Sequence, residues 1–153
     1  MYPRFKLLII AIFTSLATSL FLTPFTIEIS SASTESVNTK DTSIEADRLN
    51  KKGVELFNQG KFREALETFE TVLAIFRQIG DRTGEATVIN NIGQIYHKLG
   101  EYSKALEYYQ QVLPIYKQID NRIGEGTISN NIGQIYNQLG QYSKALEYLE
   151  QAL

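Results

Sequence analysis

The chain has 153 residues, a one-domain length, with 43% hydrophobic and 21% charged residues, enough apolar material for a packed core. Its formal net charge of −2 and its lack of clustered Lys and Arg argue against a nucleic-acid-binding surface. With no Cys and a single His it holds neither a disulfide framework nor a thiolate or multi-histidine metal site, so no metal or cofactor is expected.

In chain order, residues 1–32 stand apart from the rest. Arg4 and Lys6 make a short basic start, Leu7 to Leu22 is uncharged and mostly apolar, and Ser30 and Ala32 form a small-x-small pair. Basic, apolar, small is the order of a secretory signal. The apolar stretch falls short of the roughly 20 residues of a membrane span, but with Thr23 to Ile29 it reaches that length. A cleaved signal is the first reading, an uncleaved membrane anchor the second and a buried core helix the third. Either of the first two places the remainder outside the cytoplasm, periplasmic, extracellular or membrane-anchored, with the membrane touched only through this segment. Residues 1–32 contribute +1, so the remainder carries −3. Residues 33–43 open with Ser33 to Asp41, polar, Ser/Thr-rich and without period, which reads as a flexible linker.

From Ile44 to Leu153 the chain matches itself at a shift of forty. Gly53, Gly93 and Gly133 align, as do Gly60, Gly100 and Gly140; Phe62, Tyr102 and Tyr142; and Ala65, Ala105 and Ala145. Between Gly80–Leu113 and Asp120–Leu153, 22 of 34 positions are identical, and NNIGQIY recurs verbatim at Asn90–Tyr96 and Asn130–Tyr136. A fixed period of this size means stacked supersecondary units, here at about 44–80, 81–120 and 121–153, the last one truncated. Each unit holds two helical stripes. Ile89, Ile92, Ile95, Tyr96 and Leu99 keep helical spacing; Gly100 ends that run; Tyr102, Ala105, Leu106, Tyr109, Val112, Leu113 and Tyr116 resume it. So short a break predicts an antiparallel helical hairpin. The fold class is therefore all-α, a solenoid of helical hairpins.

Local signals mark the helix starts. Thr42-Ser43-Ile44-Glu45 has the capping-box form, and Asp81 and Asn121 are placed to cap the later units, with Glu85 and Glu125 near the positive helix ends. A mid-helix glycine costs about 1 kcal/mol against alanine; its recurrence at Gly53, Gly93 and Gly133 points to close helix approach. Two departures stand out: Lys52 replaces Ile92 and Ile132, and Pro114 falls inside the second unit's second helix, where a kink and a freed carbonyl are expected.

Gly93, Tyr96, Gly100, Tyr102, Ala105 and Tyr109, with their counterparts in the other units, resemble the tetratricopeptide repeat. The usual period is about 34 residues; the extra residues here lie around GDRTGEA, which implies longer helices. The long repeat is similar to those of kinesin light chains and Pins-type scaffolds. The wording GDR-x-GEA…NNIGQIY…LGEYSKALEYYQQ is similar to bacterial, often cyanobacterial, multi-repeat proteins. The resemblance implies first helices lining a concave groove that holds a protein or peptide partner.

That gives the paired amides a meaning. Asn90, Asn91, Gln94 and His97 lie off the apolar stripe. Stacking the units aligns Asn50, Asn90 and Asn130; then Asn91 and Asn131, with Lys51 in the first unit; then Gln94 and Gln134; His97 aligns with Asn137. Amides both donate and accept, so a ladder of them can hold a main chain in either direction. The competing expectation is that the amides join one repeat to the next or are merely solvated. A carboxylate clamp is disfavoured, because Lys51 and Lys98 are displaced from the columns it needs. His97, lacking a second His, reads as a surface helical residue, and Glu64, Glu67, Glu70, Glu101 and Glu107 as solvated charge. The glycines match no phosphate-binding pattern, and no catalytic constellation is present.

Leu153 aligns with Leu113, beyond which the second unit continues PIYKQID, and the last stripe (Ala145, Leu146, Leu149, Leu153) has no polar cover. The expectation is a fragment of a longer protein, or an open terminal helix that docks a partner or a second copy. The function expected is protein–protein interaction, not catalysis. The alternative is a regulatory or oligomerising arm of a larger protein with a C-terminal effector, such as the CHAT-type protease domain some resembling proteins carry; no residue here belongs to one.

Overall fold

The computed structural model describes the backbone of residues 25–152 and the side chains of residues 39–152. The chain forms two units, Met1–Val37 and Asn38–Leu153. Most of the N-terminal signal or anchor segment, residues 1–24, lies outside the described residues. Among the described residues no helix is long and apolar enough to cross a membrane.

The described residues are helical: α1 (Phe25–Asn58), α2 (Phe62–Ile79), α3 (Arg82–Lys98), α4 (Tyr102–Gln118), α5 (Arg122–Gln138) and α6 (Tyr142–Gln151). Residues 33–43, read from composition as a linker, are helical as part of α1. The helix runs through Thr42–Glu45, so the capping box there does not begin it; no Pro or Gly between Phe25 and Asp41 stops the helix short.

Every turn has one design. Gly60 donates to Phe57 and Lys61 to Leu56, and the same pair of bonds recurs at Gly80/Asp81, Gly100/Glu101, Asp120/Asn121 and Gly140/Gln141. These are Schellman closures, which need a left-handed residue. Four glycines supply it at φ 71–74°, and Asp120 supplies it at φ 53°. The next residue is already the N-cap position of the following helix, so each pair of helices folds back antiparallel. Asp81 and Asn121 cap as expected, accepting from the amides of Gly84 and Gly124 at 2.9 and 2.8 Å.

The helices then lock through glycines. A Cβ at Gly53 would stand 2.6 Å from the Phe69 ring, and one at Gly93 2.6 Å from the Tyr109 ring. At Gly133 it would meet Leu149 at 2.8 Å. These contacts join the two helices of each hairpin. A second set joins one hairpin to the next: Gly84 lies under Phe76 and Gly124 under Tyr116, again with no room for a Cβ. The expected close approach therefore holds, and the partner of each mid-helix glycine is a bulky side chain one turn beyond Ala65, Ala105 or Ala145. Ile89, Ile92, Ile95, Ile128, Ile132 and Ile135 fill the core between these contacts. Leu99, expected on the stripe, is 44% exposed at the end of α3.

The face of α1 that corresponds to buried positions of α3 and α5 is charged. Arg48, Lys52 and Glu55 occupy the columns of Val88, Ile92 and Ile95, and all three are exposed, with Arg48 paired to Glu45. This accounts for the departure at Lys52. α4 continues as one element through Pro114, which lies on an exposed position, so the freed Gln110 carbonyl does not end the helix.

One buried charge ties the first two units. Glu85, only 7% exposed, accepts from Arg77 Nε of α2 at 2.9 Å and from Arg82, and Arg82 also donates to Gln118 at the end of α4 at 2.8 Å. In the third unit the pairing is looser, with Arg122 3.9 Å from Glu125.

Gly93→Ala is expected to lower stability by about 2 kcal/mol in urea unfolding, because overpacking against Tyr109 outweighs the roughly 1 kcal/mol of helix propensity gained. Glu85→Gln is expected to cost about 1–3 kcal/mol, less than a fully buried pair because both arginines are half exposed. Tyr109→Phe should be neutral or stabilising by up to about 1 kcal/mol. Its buried hydroxyl finds no hydrogen-bond partner, burial pushes the phenol well above its ordinary pKa, and the first unit carries Phe69 at that column.

Candidate functional site

The stacking turns columns of sequence into parallel stripes on α1, α3 and α5, and the amides divide into two groups. The column of Asn50, Asn90 and Asn130 belongs to the junctions between repeats. Asn130 lines an open groove of about 820 Å³ between α5 and α6, beside Gly126, Leu146 and Leu149. The same place one unit earlier is covered, and the side-chain oxygens of Asn50 and Asn90 are buried without a hydrogen-bond partner.

The next columns are accessible. Asn91 and Gln94 line a cleft of about 190 Å³ between α1 and α3, with Val54, Phe57, Asn58 and Phe69. Asn131 and Gln134 hold the corresponding places on α5, half-buried and exposed respectively. His97 is tied down: its Nε2 donates to Gln138 Oε1 of α5 at 2.9 Å, and its ring meets the edge of Tyr102 at 5.8 Å. Asn137, its counterpart, is exposed. Of the predicted residues, Asn91 and Gln94 therefore share one cleft, Asn131 and Gln134 hold the matching columns of α5, and His97 bridges the two helices.

Val54, Phe57, Asn58 and Phe69 were not anticipated as site residues. Their signal was present as departure from the repeat: Val54 stands where the other units have Gln94 and Gln134, and Phe57 where they have His97 and Asn137. The opposite face carries a second ordered set. Tyr96 stacks on Tyr108 at 5.4 Å under Lys104, and Tyr136 on Tyr148 at 5.7 Å under Lys144. The shared geometry of these clusters fits a role in holding the second and third hairpins together. Among the described residues no group of three or more His, Cys, Asp or Glu could hold a metal ion.

The comparisons agree with this architecture. Tetratricopeptide repeat models match residues 48–118 and 128–153. No curated protein matches the chain. Among solved structures, the chain is similar to the TPR domain of Arabidopsis FLU, with 22% identity and a TM-score of 0.67, covering 72% of this chain and 93% of that one. It is similar to BtubC from P. vanneervenii, with 22% identity and a TM-score of 0.66, covering 72% of this chain and 45% of that one. It is also similar to a Pyrococcus horikoshii signal transduction ATPase with numerous domains that has a tetratricopeptide repeat sensor; identity is 32%, the TM-score 0.68, and the coverage 77% of this chain and 18% of that one. The chain thus spans less than half of the latter two proteins. Repeat solenoids of this kind present extended surfaces to protein partners. With its forty-residue register, glycine-locked hairpins and two matching repeat models, the chain belongs to the tetratricopeptide-repeat family.

Proposed function

We propose that this chain is a protein-interaction module that holds an extended segment of a partner along the surface of α1, α3 and α5, without catalysing a reaction. The observation that carries the reading is the accessible amide row, Asn91 and Gln94 on α3 with Asn131 and Gln134 on α5, beside the cleft to α1. Each amide offers donors and an acceptor. An extended chain repeats its own polar groups about every 3.3 Å, so paired rows can follow it without reading every side chain. His97, bonded across to Gln138, keeps the two rows in register. Asn137 extends the row, and Asn130 lines the neighbouring open groove between α5 and α6. The basic, apolar, small order of residues 1–32 supports placing the module outside the cytoplasm, exported or membrane-anchored.

A second reading draws on one comparison. Where this chain is 32% identical to the Pyrococcus protein, it spans 18% of that protein, whose repeats are described as a sensor. By that analogy the module is the recognition arm of a larger protein, and the mass of the native product decides between the two.

The test is an array of short peptides of varied sequence probed with the full chain and with a variant carrying Asn91→Ala, Gln94→Ala, Asn131→Ala and Gln134→Ala. Each lost hydrogen bond is worth about 1 kcal/mol, so binding should fall at least about tenfold while helicity and melting stay unchanged. Unchanged binding, or equal loss of binding and fold, contradicts the proposal.

A further inference from the structure

The first and second junctions between repeats are not equivalent. Three residues on the α1 side of the first cleft, Val54, Phe57 and Phe69, are apolar, and three amides, Asn58, Asn91 and Gln94, complete its wall. One unit on, the matching columns hold Gln94, His97, Tyr109, Lys98, Asn131 and Gln134, and His97 is already bonded across the gap. An apolar floor therefore occurs at the first junction and not at the second.

The size of the cleft limits its occupant. About 190 Å³ is well below the roughly 300–1,000 Å³ of small-molecule and cofactor sites. It suits one aliphatic side chain. Nothing ionisable lines it, so a charged side chain entering it would be desolvated without a partner.

Two lysines stand at its rim. Residues three and four apart share a helix face. Lys51, Val54 and Asn58 therefore form one stripe on α1, and Asn91, Gln94 and Lys98 the matching stripe on α3. The shift of forty sets Lys51 opposite Asn91 and Lys98 opposite Asn58, so the two lysines stand at diagonal corners of the cleft. Both are exposed, and neither joins an ion pair among the described residues. Of the nearby α1 carboxylates, Asp47 lies a turn further from the cleft on the same stripe, and Glu55, four residues from Lys51, stands in the column of Ile95 outside the cleft lining. Along the helix axis the two corners are about 10 Å apart, at about 1.5 Å per residue. An extended peptide covers that in about three residues.

The geometry points to a specificity pocket: the α1–α3 cleft takes one aliphatic side chain of an extended peptide whose neighbours within two positions on each side are acidic. The inference rests on the peptide-binding reading and adds to it a chemical class of partner. The amides of Asn91 and Gln94 hold the main chain, Val54, Phe57 and Phe69 receive the side chain, and Lys51 and Lys98 attract its flanks.

Fluorescence anisotropy with the full chain tests it. The probe is a short fluorescein-labelled peptide with one central leucine and two glutamates on either side. Serine in place of the leucine should weaken binding at least tenfold, and lysines in place of the glutamates should do the same. Val54→Arg, which fills the cleft, should abolish binding. Lys51→Glu with Lys98→Glu, both at exposed positions that leave the core untouched, should reverse the preference toward the lysine-flanked peptide. Failure of the leucine peptide to bind, equal binding of all three peptides, or full binding by the charge-reversed variant overturns the inference. Equal binding that still falls when Asn131 and Gln134 become alanine would leave the main-chain reading standing while removing the pocket.

Discussion

A glycine pressed against a bulky side chain recurs at all five helix junctions, and the array depends on it. At Gly53, Gly84, Gly93 and Gly124 the opposing group is an aromatic ring, and at Gly133 it is Leu149. A ring seated where a Cβ would be fixes how far one helix can slide or rotate against the next, because any shift drives the ring into backbone. Close-packed interiors transmit such constraints with little slack. The helix-propensity cost of each glycine is accepted in exchange for a defined approach. The Schellman closures at Gly60, Gly80, Gly100, Asp120 and Gly140 add the second constraint by setting where each helix stops.

The candidate site is a consequence of that register. Because successive first helices repeat the same approach, residues forty apart in sequence fall into straight rows, and a row of amides becomes a surface. The rows differ in what the next helix does to them. The side-chain oxygens of Asn50 and Asn90 are buried, whereas Asn91 and Gln94 line an open cleft and Gln134 is exposed. Glu85 belongs to the same logic: its carboxylate takes one arginine from α2 and one from α3, so a buried charge is compensated at the seam between repeats.

Much of this could be read from the chain alone. The forty-residue period, the helical stripes, the turn glycines and the caps at Asp81 and Asn121 are local or periodic signals, and the structure carries each of them. What was not legible depended on which helix covers which face. Asn90 and Asn91 are adjacent and chemically identical, and only the folded array buries the side-chain oxygen of Asn90. Glu85 looked like a residue suited to a helix start, and its burial under two arginines required the positions of three helices. The extension of α1 upstream of Thr42 went against a polar composition that favoured no regular structure. The apolar cleft was visible only as a failure of the repeat at Val54 and Phe57, and a departure acquires meaning once its neighbours across the junction are known.

The central claim is that glycine-to-ring contacts set the stacking. The most direct measurement is a double-mutant cycle on urea unfolding that combines Gly93→Ala with Tyr109→Ala, because the leucine the third unit uses against Gly133 would itself stand 2.8 Å from a new Cβ. The smaller group should make room for the new Cβ, so the two changes should be non-additive, with the pair more stable than the sum predicts by at least about 1 kcal/mol. Strict additivity would mean that the methyl group and the ring do not meet, and would contradict the account.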